Sequence, residues 1–324
     1  MLQPLLVVDT PSWRKKPFSF RGESHITLRS STSTQTNDHH NTLVEMDPTQ
    51  GQTAHQVRLL GRHNHITNTS GLAPGYLQAN LLILPSKHAE DFHNLCLRNP
   101  VSCPLLGLTQ KGNPHIIYPS SCIKDKDFDL RTDCPKYRVY KDGKYIESRT
   151  DLMNLWTDDY VGFLIGCSFS FEDALSDAGL KPRHQDTGTI VAMYKTRIPL
   201  LASGIFKNGT CIVSMRPYRV EDVERVREIT RPFLATHGEP VDWGWDALER
   251  LGISDIEKPD FGERQIFEEG EIPVFWACGV TPQMAVESAA DRIEGLVFAH
   301  EPAHMLVTDF TVKDLKTLGK PLYN

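Results

Sequence analysis

No run in this sequence approaches 18 consecutive apolar residues, so no segment has the length of a membrane-spanning helix. The longest apolar stretches, around Leu81 to Leu84 and Val161 to Ile165, have the length of buried strands. No long basic block occurs. The formal net charge is -6, which argues against a nucleic-acid partner. No Cys-x-x-Cys pair occurs either. The seven cysteines, Cys96, Cys103, Cys122, Cys134, Cys167, Cys211 and Cys278, are scattered and odd in number. That pattern speaks against a disulfide scaffold and a cysteine zinc site, and it fits a reducing compartment. Neither G-x-G-x-x-G nor G-x-x-x-x-G-K-[ST] is present, so nucleotide dependence has no support.

What is present is an ordinary globular composition. The chain has 324 residues, 40% hydrophobic and 23% charged, enough for one large domain or two smaller ones. Residues 1–51 differ from the rest. Ser24 to Gln56 is polar and lacks apolar periodicity, and Arg14, Lys15, Lys16, Arg21 and Arg29 precede or open it with few acids. A disordered extension and a mitochondrial presequence are the two readings. From about residue 52 strand and helix signals alternate, which predicts an α/β fold: a layered mixed sheet flanked by helices. Residues 52–159 and 241–324 are expected to form the main domain, with 160–240 as an inserted α+β subdomain. The pairs Asp142-Gly143 and Asn208-Gly209 predict hairpins.

Two strand-to-helix turns attract attention. In Phe275-Trp-Ala-Cys-Gly-Val-Thr-Pro282, Cys278 sits where a strand gives way to a helix, with Thr281 and Pro282 suited to its first positions. Free N–H groups there attract anions and lower a thiol's pKa. Cys278 is thus a candidate nucleophile or simply a small buried side chain. Gly166-Cys-Ser-Phe-Ser-Phe-Glu172 repeats the pattern. Ser168 is a candidate anion donor and Glu172 a candidate acid or base, unless Ser170 and Asp173 only cap a helix. Arg216 and Arg197 sit beside apolar strand residues and offer planar forks for carboxylates. His300-Glu-Pro-Ala-His304 satisfies H-E-x-x-H, but Pro302 opposes the helix that a zinc metalloprotease needs. His300 and His304 remain candidate proton carriers.

Several long segments resemble the D-glutamate cyclase family. They are Gly71-Leu-Ala-Pro-Gly-Tyr-Leu-Gln-Ala-Asn80, Arg131-Thr-Asp-Cys-Pro-Lys-Tyr-Arg-Val-Tyr140, Gly166 to Glu172, Met193-Tyr-Lys-Thr-Arg-Ile-Pro199, Val213-Ser-Met-Arg-Pro217 and Pro273 to Gln283. His300-x-Pro-x-His-Met305 with Thr308-Asp309 completes the set, in order from about residue 52 to 310. The resemblance implies a hydro-lyase that dehydrates D-glutamate, or a similar small acid, to 5-oxo-D-proline, in the cytoplasm or the mitochondrial matrix. It implies no cofactor and no metal. A small carboxylate is the expected partner, with no nucleic acid and no membrane, and a homodimer is left open. Cys278, His304 and Glu172 are assigned to catalysis. Ser168, Tyr194, Arg197, Arg216, Thr281, Asn80 and His300 are assigned to substrate. The alternatives are a non-catalytic amino-acid or dicarboxylate binder, and a metallohydrolase built on His300 and His304. All of this rests on one expectation: that the turns at Gly166 and Gly279 meet in a single cleft.

Overall fold

The computed structural model describes residues 52–69 and 71–315, so the expected N-terminal extension lies outside the described residues. The apolar run from Leu81 to Leu84 lies in strand β1 (Tyr76–Pro85), where nine of the ten positions are buried. The run is unbroken because both faces are covered. Leu77, Ala79, Leu81 and Ile83 enter one core, and Leu82 and Leu84 enter another.

Around β1 the larger sheet gathers β2 (Leu105–Thr109), β3 (Ile117–Tyr118), β4 (Tyr137–Lys141), β5 (Lys144–Arg149) and β6 (Tyr160–Gly166). The smaller sheet holds β7 (Ala192–Pro199), β8 (Thr210–Arg219), β9 (Asp242–Trp243) and β10 (Glu271–Ala277). Then β11 (Leu296–His300) and β12 (Leu306–Thr311) return to the larger one. The orders are β3-β2-β6-β1-β11-β4-β5, with β12 also on β1, and β7-β8-β10-β9. The helices are α1 (Ala54–Arg62), α2 (Ala89–Arg98), α3 (Glu172–Asp177), α4 (Arg183–Thr187), α5 (Val223–Thr230), α6 (Ala247–Leu251) and α7 (Thr281–Ser288).

The expected α/β content is present, as a large sheet and a smaller one flanked by helices. Every described ladder between named strands is antiparallel. The smaller sheet draws on residues 192–277, so the expected 160–240 insertion is not the unit that the sheets define. Its first strand, β6, joins β1 in the larger sheet, because its seven buried positions need cover on both faces. Leu82, Phe163 and Val297 of the larger sheet share a core with Met215 and Phe275 of the smaller one, closed by Phe92 of α2 and Val286 of α7.

The Asp142-Gly143 hairpin forms as predicted, with positive φ at both residues (49° and 73°), as a type I′ turn requires. At Asn208-Gly209 the partner of β8 is β7, further back in the chain. The intervening loop is closed by the Leu200 N–H donating to Gly209 O at 2.9 Å. Near its start the described chain is tied down by Arg58 of α1, which is 1% exposed. Its guanidinium donates to Val307 O at 2.6 Å and to Asp309 at 2.9 Å, and also reaches Asp125. Among the described residues no helix is long and apolar enough to cross a membrane.

Candidate functional site

Asn80 of β1 joins the two turns. Its Nδ2 donates to Gly166 O at 3.0 Å and to Ile165 O at 3.3 Å, where β6 ends. A Cβ built on Gly279, just past β10, would lie 1.7 Å from that same nitrogen. The amide therefore rests directly on the Gly279 backbone, and only glycine admits it. Gly166 is equally confined, since a Cβ there would meet Ala235 O at 1.9 Å.

Beyond Gly166 a short 3₁₀ turn, Ser168–Phe171, leads into α3. Ser170 does not cap this helix. Its hydroxyl accepts from the Gln78 N–H at 3.0 Å, which fastens the turn to β1. The turn delivers Glu172 to Arg216 of β8, and both are almost wholly buried. Arg216 Nε donates to Glu172 Oε1 at 2.9 Å, and Nη2 makes a shorter bond to the same oxygen. Nη1 donates to Ser214 Oγ at 3.0 Å and Nη2 to Ser168 Oγ at 3.2 Å. The rings of Phe171 and Trp276 flank the guanidinium, each 5.2 Å away. The other Glu172 oxygen, Oε2, accepts from Gln185 Nε2 at 2.9 Å and lies 3.2 Å from His184 Nε2. The Nδ1 of His184 is buried without a partner.

Burial alone would keep Glu172 neutral. The Arg216 charge, with His184 beside it, outweighs that and holds the carboxyl at about 2. Glu172 is therefore a standing carboxylate, too weak a base for the proton-shuttle role expected of it. Arg216 also differs from expectation. Its fork is engaged by Glu172, Ser214 and Ser168, so it organises the site rather than standing open for a carboxylate. Ser168 accepts from Arg216, which leaves its own O–H free to donate.

Cys278 is buried in a small apolar cluster with Val191, Met193, Ile212 and Val280. Burial pushes its thiol up, against the N–H groups of Val280 and Gly279 and the charge of Arg216. The expected lowering at a helix start does not prevail, because desolvation of the thiolate is the larger effect. The Cys278 N–H donates to Ile212 O at 3.0 Å, and Thr281 Oγ accepts from the Ile212 N–H at 3.0 Å. The Thr281 hydroxyl thus docks α7 onto β8. It is not the helix cap, a position that falls to Val280.

His300 ends β11 and is buried, with its Nδ1 accepting from the Leu81 N–H at 3.2 Å. Gln283 of α7 donates to His300 O at 3.2 Å. Burial drives the His300 pKa down to about 4, so the ring is neutral at pH 7. His304 lies beyond a turn in which Ala303 has φ of 66°, and its Nδ1 donates to Pro302 O at 2.8 Å. The two histidines are therefore not one helical turn apart. Glu301 is bound by Arg138 at 2.8 Å, so the zinc-protease arrangement is absent. Among the described residues, the group with potential ligands close together is His55, Asp125 and Asp127. There Arg58 and Arg62 already neutralise the two carboxylates.

Two assigned residues stand apart. Arg197 is exposed on β7 and donates to Arg250 O at 3.0 Å. Its side chain stands at the surface and touches no member of this cluster by a hydrogen bond or ion pair among the described residues. Tyr194 is a core residue whose hydroxyl donates to Ile256 O at 2.6 Å and whose ring packs edge-on to Phe275. The structure adds His184, Gln185, Ser214 and Gln283. Ser214 was within reach of sequence reasoning, since it lies two residues before Arg216 on the same strand face. His184 and Gln185 fall in a polar five-residue helix that carries no motif spacing.

The D-glutamate cyclase family matches residues 161–309. A Schizosaccharomyces pombe protein named a putative hydro-lyase is 49% identical over 257 residues, covering 79% of this chain and 84% of its own. One of the same name from Rhodopseudomonas palustris is 46% identical, covering 82% and 93%. Another from Rubrobacter xylanophilus is 49% identical, covering 76% and 92%. A solved structure, a nitrogen repressor-like protein from Methanococcus jannaschii, aligns over 81% of this chain and all of its own, with a TM-score of 0.30 and 9% identity. At that score it carries no argument.

Proposed function

This chain belongs to the D-glutamate cyclase family, and from that premise we propose that it is a hydro-lyase closing D-glutamate to 5-oxo-D-proline with release of water. The observation that carries the reading is the buried Glu172–His184–Arg216–Ser168 cluster, set beside the junction of the two turns. Lactam formation needs a base for the α-ammonium and donors for the γ-carboxyl oxygen. Glu172 accepts the Nε2–H of His184, which fixes the tautomer and leaves Nδ1 as a lone pair without a partner. His184 is then the base, in place of the Glu172 or His304 expected from sequence.

The amine nitrogen attacks the carbon of the γ-carboxyl group, so a C–N bond forms and a C–O bond of that carboxyl breaks. The nitrogen loses two protons in passing from ammonium to lactam N–H, and the departing oxygen takes up both, relayed by His184, to leave as water. The Ser168 O–H, polarised by Arg216, holds the developing oxyanion together with the N–H groups of Gly279 and Val280. Holding amine and carboxyl in contact supplies much of the rate, with effective molarities of about 10⁵ M or more for well-oriented pairs.

The test is incubation of the purified protein with D-glutamate, L-glutamate and related acids, following loss of water by mass spectrometry. His184→Asn is expected to lower kcat by about 10²-fold or more with little change in KM. Turnover of none of these acids by the intact chain sinks the reading. Undiminished turnover in His184→Asn removes the base assignment alone.

A further inference from the structure

Outside this cluster, the surface dips into a depression of about 220 Å³. Its lining includes Lys195, Asn208, Thr210, Ile212, Met284 and Ser288. Lys195 is the one ionised group in that lining, and no carboxylate shares it. Ile212 and Met284 supply the large apolar side chains of that lining. Both pack in the apolar cluster that contains Cys278. The depression therefore backs onto the turn at Gly279 from the solvent side. Gly209 lies beside α7, where a Cβ would make only an ordinary contact of 3.6 Å with Ala285.

Lys195 is placed rather than free. Its Nζ lies 5.6 Å from the centre of the Phe261 ring, and its backbone N–H donates to Asp260 at 2.8 Å. Phe261 bridges to β7 through reciprocal backbone bonds with Met193, at 2.9 and 3.2 Å. The acid on α7, Glu287, is exposed; desolvation raises its carboxyl, while the charges of Lys195 and Arg138 oppose that shift. One cation, an amide and two hydroxyls beside apolar side chains, in a volume that suits a five-carbon acid, make a carboxylate subsite.

We propose that this depression admits the substrate and that Lys195 grips the carboxylate that is not dehydrated. The inference rests on the hydro-lyase reading for the identity of the reaction, but its binding claim stands on the pocket alone. The group retained in the lactam is the α-carboxylate, so Lys195 is a specificity-determining residue. An amino acid lacking that carboxylate, such as 4-aminobutanoate, has no partner for the lysine.

The experiment compares the intact chain with Lys195→Met and Lys195→Arg. The readouts are KM and kcat for D-glutamate and calorimetric affinity for glutarate as a non-reacting probe. The expected result is a KM about tenfold or more higher in Lys195→Met, with kcat within about threefold. Lys195→Arg should recover most of the loss, and glutarate affinity should fall in parallel with the KM change. Turnover by the intact chain with an unchanged KM in Lys195→Met overturns the inference and leaves the hydro-lyase reading intact. Glutarate binding that needs Lys195, without turnover of any acid, supports the subsite and removes the reaction. Neither binding nor turnover overturns both.

Discussion

At the scale of single residues, Glu172 shows how burial and pairing set a role that residue type alone leaves open. A glutamate after a turn reads equally as acid, base or helix decoration. Sealed against Arg216, it becomes a permanent anion that orients two partners. Glu172→Gln leaves Arg216 buried without its counter-charge, and removing one member of such a pair costs about 3–5 kcal/mol. The urea midpoint should fall accordingly. The pH dependence follows with a definite sign. A carboxyl held at about 2 in the fold, against 4.5 unfolded, contributes stability above pH 4.5 and loses it as pH falls toward 2. Glu172→Gln should lack that part of the acid slope, and an unchanged slope would show that the pair does not control it. Cys278 makes the complementary case. A buried neutral thiol is a poor nucleophile, so Cys278→Ser should retain turnover within about tenfold. A complete loss of turnover in a folded Cys278→Ser protein would restore the covalent route.

At the scale of elements, the junction of Asn80 with Gly166 and Gly279 is what brings two distant segments together. Gly279→Ala pushes a methyl group into the Asn80 amide, and Asn80→Ala removes both the obstacle and the bond to Gly166. The two changes share one contact, so their effects on unfolding should not add. A coupling above about 0.5 kcal/mol in a double-mutant cycle is expected, and strict additivity would dissolve the junction as a unit. Both turns were readable in advance, because glycine, a preceding apolar run and helix-start residues coincide there. Strands β1, β6 and β10, helix α7 and the Asp142-Gly143 hairpin were readable for the same reason: local pattern and burial agree. The pairing directions were not. Alternating strands and helices suggest parallel crossovers, but nothing local in β7 or β8 records which neighbour each will meet. The site was half legible. Ser168, Glu172, Arg216 and Asn80 carry recognisable surroundings, whereas His184 joins them only through the path of the chain after α3.

At the scale of the whole molecule, neutral histidines are spread through the fold and bias its response to acid. His300 anchors β11 to β1, and His237, with φ of 88°, donates from Nδ1 to Val101 O at 2.8 Å beside the Gly166 turn. Burial depresses both to about 4, from 6.5 in the unfolded chain. His88 and His93 are lowered for the same reason. The unfolded state therefore binds protons between pH 6.5 and 4 that the folded state refuses. Stability is full above pH 6.5 and falls as pH drops toward 4, a window distinct from that of Glu172. The double substitution His237→Gln and His300→Gln removes the two most deeply buried of these rings. It should flatten the decline in urea midpoint between pH 6.5 and 4 while leaving the lower window, set by Glu172, unchanged. A wild-type midpoint that does not move across pH 6.5 to 4 would mean these rings take up protons in the folded chain, contrary to their burial.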